Sequence, residues 1–207
     1  MRVSSFEAAR RLAYKELLDG VRHRAGYVTM GMFALTVIAF LSMSLAWGTM
    51  DVRLASALLW IVIFFAATLQ GERLFAEEAA AGTLMFLRIY VPTQAVLFGQ
   101  MAAHFITLVV LAALVFPLVV ILMDAPLVLN LTFLATLVLG LWGMAAADTL
   151  LAAVPVLLLP SMLPILLPAI SLSAGGGEPA LLGGMLIYDM ALTVGASMLF
   201  DSLWIES

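Results

Sequence analysis

The chain has 207 residues, 65% hydrophobic and 11% charged, where a soluble domain is nearer half apolar and a quarter charged. Lipid must therefore solvate much of its surface, which excludes an ordinary water-soluble domain, and a single membrane bundle spanning 1–207 is expected. The net charge of −4 says little about partners, because nine of the 22 charged residues lie in positions 2–24, five more lie in 71–92, and no Lys or Arg follows Arg88; no nucleic-acid partner is expected. The absence of cysteine removes disulfides, thiolate metal sites and covalent haem attachment.

Residues 4–22 begin with a capping-box spacing, Ser4 and Glu7. Phe6, Ala9, Leu12 or Ala13, Leu17 and Val21 then form an apolar stripe, with Arg10, Arg11, Lys15, Asp19 and Arg22 mostly off it. This predicts an amphipathic helix too short and interrupted to span a bilayer, lying in the membrane interface or against a soluble partner. Gly20 is its expected C-terminal stop.

A span needs about 20 apolar residues. The first is predicted at 27–47 and the second at 54–69, short unless Gln70 and Gly71 extend it. The third, at 95–123, is long enough to tilt and contains Pro117. Residues 128–172 are too long for one span and suit two, divided near 152–155; the sixth runs over 180–203. The fold class is thus all-α and polytopic, with six transmembrane helices. Six Lys or Arg precede the first span, Arg53 lies in the first loop, and Arg73 and Arg88 lie in the second. By the positive-inside rule both termini and residues 72–92 face the cytoplasm.

One lysine, Lys15, and no GxxxxGK[ST] mean that the chain builds no P-loop of its own. Gly175–Gly177 reads as a turn. His104 lies nine residues into the third span, where an ionisable group is a functional candidate; it is either an axial ligand to haem or a hydrogen-bonding group to a neighbouring helix. Asp148 reads as a satisfied carboxylate near the cytoplasmic end of the fourth span, with Asp189 matching it as a relay partner by depth only. Pro155, Pro160, Pro164 and Pro168 predict a bent fifth span. Gly143 and Ala147 give the fourth a smooth packing face. Ser197 has no protease constellation around it, and no enzyme is expected.

The stretch GERLFAEEAAAGTLMFLRIYVPTQAVLFGQMAAHF resembles the second cytoplasmic loop and third span of the haem exporter B subunit (CcmB-like) family. The matching residues are Glu72, Arg73, Leu74 and Phe75, then Gly82, Thr83 and Leu84, then Pro92 and His104. The chain departs from the family pattern at Gln100, at Ala80 and Ala81, at Asp148 and in its very short fourth loop. The resemblance implies an ABC-2-type permease of cytochrome c maturation in the bacterial inner membrane or its mitochondrial counterpart. It also implies a separate cytoplasmic ATPase subunit, other maturation subunits in the membrane, a homodimer or mixed complex, and haem delivery or haem-chaperone release. An exporter half for a lipid, drug or polysaccharide and a non-transporting scaffold are the alternatives. Coupling to the ATPase would fall to Glu72, Arg73, Leu74, Phe75, Glu77, Glu78, Gly82, Thr83, Leu84 and Arg88.

Overall fold

The structure, a computed structural model, describes residues 5–22, 24–45, 50–71, 82, 89–151 and 158–206. Seven long helices follow in order: α1 (Ser5–Arg22), α2 (Ala25–Leu45), α3 (Val52–Gly71), α4 (Thr93–Leu122), α5 (Leu131–Leu151), α6 (Leu158–Ser173) and α7 (Ala180–Glu206). Five of them, α2 to α5 and α7, are long and apolar enough to cross a membrane, and α6 contains a shorter apolar helix, Pro160–Ser173. An apolar segment in lipid satisfies its backbone polar groups internally by forming helix; five of the six expected spans reach spanning length, and the expected fifth forms the shorter α6. Gln70 and Gly71 do extend the second span to 20 residues.

The centre of the bundle is α4 and α5. Helix α4 touches α1, α2, α3, α5 and α7, while α5 packs against α3, α4, α6 and α7. Trp60, Phe133, Ile38, Leu97, Leu108, Leu141 and Met162 are among its fully buried large side chains. The opposite faces of the same helices expose Phe40, Val110, Ile121, Leu131, Ile187 and Met198, as lipid-facing surfaces should. Polar links tie helices pairwise. Trp60 Nε1 on α3 donates to Ser173 Oγ on α6 at 2.9 Å, Ser42 Oγ on α2 donates to Leu122 O at 2.6 Å, and Tyr188 OH on α7 donates to Ser161 O on α6 at 2.8 Å. Such bonds average about 0.6 kcal/mol in membranes, so they orient the helices more than they hold them.

Helix α1 forms as expected and packs one face on α4 of its own chain, burying Leu12 and Ala13. The contact depends on Gly99, where an added Cβ would lie 3.0 Å from Ala9 O and from Leu12 Cβ. Phe6, Tyr14 and Val21 remain exposed on the outer side, where Arg10 and Arg11 are exposed too; that face has the composition of a membrane-interface helix. Gly20 does not stop the helix, which continues to Arg22. The Tyr27 ring lies directly over Gly20 and its hydroxyl reaches Thr107 Oγ1 of α4 at 3.4 Å, so the glycine provides room where the expectation gave it a turn. Gly99→Val is expected to prise α1 from α4 at a cost of about 1–3 kcal/mol, the usual range for overpacking. Faster trypsin cleavage after Arg10 and Arg11 would report it; wild-type digestion rates would contradict it.

Helix α4 has 30 residues, about 45 Å at 1.5 Å each, against a hydrocarbon thickness of about 30 Å. Pro117 lies inside it. In α6, Pro164 and Pro168 both lie inside the helix, while Pro155 falls outside the described residues. Gly175 has φ +74° in the turn after α6, a left-handed conformation that glycine adopts without strain, and this accounts for the glycine run.

Candidate functional site

Most of the segment expected to contact an ATPase falls outside the described residues: Glu72, Arg73, Leu74, Phe75, Glu77, Glu78, Thr83, Leu84 and Arg88. Gly82 is described and has φ +68°, a backbone conformation in which any larger residue is strained. The two roots of the segment are well placed. They are Gly71, the end of α3, and Thr93, the start of α4.

Beside those roots the structure brings together residues that the sequence leaves apart. His104 Nε2 on α4 and Asp148 Oδ2 on α5 form a hydrogen bond of 2.9 Å, and both side chains are 0% exposed. Asp148 also rests against Gly71, where an added Cβ would stand 3.1 Å from its Cβ and Cγ. In the pair itself His104 Nδ1 and Asp148 Oδ1 have no hydrogen-bond partner, and Gln70 Oε1 and Gln100 Nε2, on α3 and α4, are likewise buried without one. Gln100 precedes His104 by one turn, on the same face of α4.

Asp148, three residues from the end of α5, is therefore tied to a histidine through Oδ2, while its Oδ1 stays unpartnered, so the carboxylate is only half satisfied. Asp189 is not its partner. It is buried on α7 against Gly143 of α5 and close to Ile165 of α6, with both oxygens unpartnered. Gly143 and Asp148 are five residues apart, about 140° around α5, so the two carboxylates meet different neighbours. Gly143 serves packing within the chain, and fully buried Ala147 does the same. Ser197 Oγ donates to Val194 O of its own helix at 2.7 Å. Among the described residues no group of three or more His, Asp or Glu could hold a metal ion.

His104 makes a helix-to-helix bond through Nε2, and its side chain is 0% exposed.

The fold, with five helices long and apolar enough to cross a membrane among the described residues, is that of an all-α, multi-pass membrane protein. The CcmB family, described as CcmB protein, matches residues 7–201, and the chain belongs to that family. It is accordingly a permease subunit and a membrane component of the haem-export ABC system of cytochrome c maturation, and a multi-pass protein of the inner membrane. No curated protein matches the chain.

Proposed function

We propose that the chain is a permease half that receives force from a separate cytoplasmic ATPase through residues 72–92, and that this drives haem delivery or release of a haem chaperone. The observation that supports the reading is the family match over 7–201, which includes this segment. The physical requirement agrees with it. A chain without a P-loop needs a polar projection for another subunit to grip, and Glu72, Arg73, Glu77, Glu78 and Arg88 supply one. The N-terminus, this segment and the C-terminus share the cytoplasmic side on the count of Lys and Arg in short loops. The ATPase subunit, the other maturation subunits and a second copy of this chain are the partners of the proposal.

Changing Glu77 and Glu78 to Lys reverses the charge presented to the ATPase. The expected result in a reconstituted complex is loss of haem-stimulated ATP hydrolysis with membrane insertion intact; unchanged stimulation would remove the segment from coupling. Stimulation by a lipid or drug with none by haem would favour the general exporter, and persistent maturation without any co-purifying ATPase would favour the scaffold. Labelling of Ala153→Cys from the cytoplasmic side is expected, and periplasmic labelling would sink the six-span orientation.

His104 belongs to the proposal as an interhelical group, with haem ligation as the competing role. Equal amounts of folded wild-type and His104→Ala complex are expected to give the same Soret band. A band lost only in the variant would make His104 a haem ligand.

A further inference from the structure

We propose that Asp148 is a positioning residue that ties Gly71, the incoming root of the 72–92 segment, to His104 of α4, so that movement at that root reaches the bundle through it. The inference rests on the reading of 72–92 as the ATPase-docking segment.

The geometry has two independent parts. The incoming root, Gly71, approaches Asp148 so closely that an added Cβ would lie 3.1 Å from both its Cβ and its Cγ. On the outgoing side, His104 of α4 bonds Asp148 Oδ2 at 2.9 Å. Asp148 is 0% exposed and stands on α5, the helix that also touches α6 and α7. One side chain thus sits between the two helices that carry the segment and the helix that contacts the rest of the bundle. A push or pull on residues 72–92 acts along α3 and α4, and both meet α5 at this point.

The surrounding polar atoms show why the clamp can transmit motion as well as resist it. Asp148 Oδ1, His104 Nδ1, Gln100 Nε2 and Gln70 Oε1 are buried without partners, and buried polar groups favour arrangements that pair them. Gln70 belongs to the incoming helix and Gln100 to the outgoing one. A shift of α4 along α5 offers Asp148 the Gln100 amide as a new donor in exchange for His104, and bistable contacts of this kind turn small displacements into switches. Gln100 lies one turn from His104 towards the segment, so α4 carries two donors in sequence for one carboxylate.

The test uses the complete complex with its ATPase, reconstituted in lipid, and reads the ratio of haem-stimulated to unstimulated ATP hydrolysis. Three variants are compared: Asp148→Ala, Asp148→Asn and Gly71→Ala. Asp148→Ala is expected to lower the ratio roughly threefold to thirtyfold, the span of coupling losses that such network residues produce. Asn keeps an oxygen that can accept from His104, and it should recover most of the ratio. Gly71→Ala leaves every polar group in place and only displaces Asp148, yet it should lower the ratio in the same direction. A purely structural role would lower complex yield and leave the ratio of the surviving complex unchanged, and that outcome overturns the proposal. So does a wild-type ratio in Gly71→Ala together with equal behaviour of Asn and Ala at position 148. If the wild-type chain fails to associate with any ATPase, the reading of 72–92 itself fails, which is a distinct result from an intact wild-type complex with insensitive variants.

Discussion

Replacing His104 with alanine is expected to destabilise the purified bundle by roughly 3–5 kcal/mol, the usual cost of leaving a buried carboxylate without its partner. The reason is what it leaves behind. Asp148 is fully enclosed, and without His104 Nε2 neither of its oxygens has a partner, since Oδ1 already lacks one. Asp148→Ala should cost less, because the group it strands is an imidazole, and an unpartnered neutral polar group costs about 1–3 kcal/mol. The double variant removes the polar atoms together and should recover part of the His104→Ala loss. An ordinary interhelical hydrogen bond in a membrane has a ceiling near 1.7 kcal/mol, so the size of the loss separates an orphaned carboxylate from a lost neutral bond. Thermal unfolding of the four proteins in detergent measures it. Equal single losses that simply add would show that His104 and Asp148 do not act as a pair.

The second large effect lies at the other buried carboxylate. Gly143→Ala would drive its methyl into Asp189 Oδ1 and to within 2.8 Å of Ile165 Cδ1. Ile165 sits between Pro164 and Pro168 on α6, where the prolines restrict backbone adjustment. Overpacking of this kind costs about 1–3 kcal/mol. Asp189 offers the matching test, because both its oxygens are buried without a hydrogen bond, and a charged residue at the centre of a spanning helix costs roughly 2.5–3.5 kcal/mol on insertion scales. Asp189→Ala should therefore raise the unfolding temperature and should largely suppress the Gly143→Ala defect. A fall in stability for Asp189→Ala would mean that the carboxylate has a partner role in the assembled complex. Raised stability with lost transport would mark it as a group kept for function at a cost in stability.

The helices were readable because each span is a long, nearly uninterrupted apolar run, and such a run in lipid has little alternative to helix. The His104–Asp148 pair was not readable, and the reason is depth. Counting from the predicted start of its span places His104 well inside the membrane, while Asp148 falls three residues before the end of α5. The count misleads because α4 is longer than the hydrocarbon is thick, and its first turns are covered by α1 around Gly99. His104 therefore meets the end of α5 rather than its middle. The seat of α1 was hidden for a related cause: Gly99 lies in an apolar run, and nothing in such a run distinguishes a glycine facing lipid from one facing another helix. Gly20 carried a genuine stop signal that tertiary packing put to another use, since Tyr27 needs the space. The pairing of Gly143 with α6 and α7 was partly visible, because small residues mark close approach, but the identity of the approaching side chain was not. Residues 72–92 stand the other way round: their part in the proposal comes from the family pattern, and the geometry adds mainly Gly82 and the two roots.

The covering of α4 by α1 also bears on the order in which the protein is made. Leu12 is synthesised early, yet Gly99, against which it packs, follows roughly 90 residues later, a delay of about 5–18 s at ordinary elongation rates. Through that interval two membrane spans enter the bilayer while α1 has nowhere in its own chain to dock. Its exposed Phe6, Tyr14 and Val21 and its arginines give it a temporary berth among lipid headgroups. Helix α1 is thus a latecomer to the finished bundle, and it closes over the base of α4 only after residues 72–92 have been synthesised.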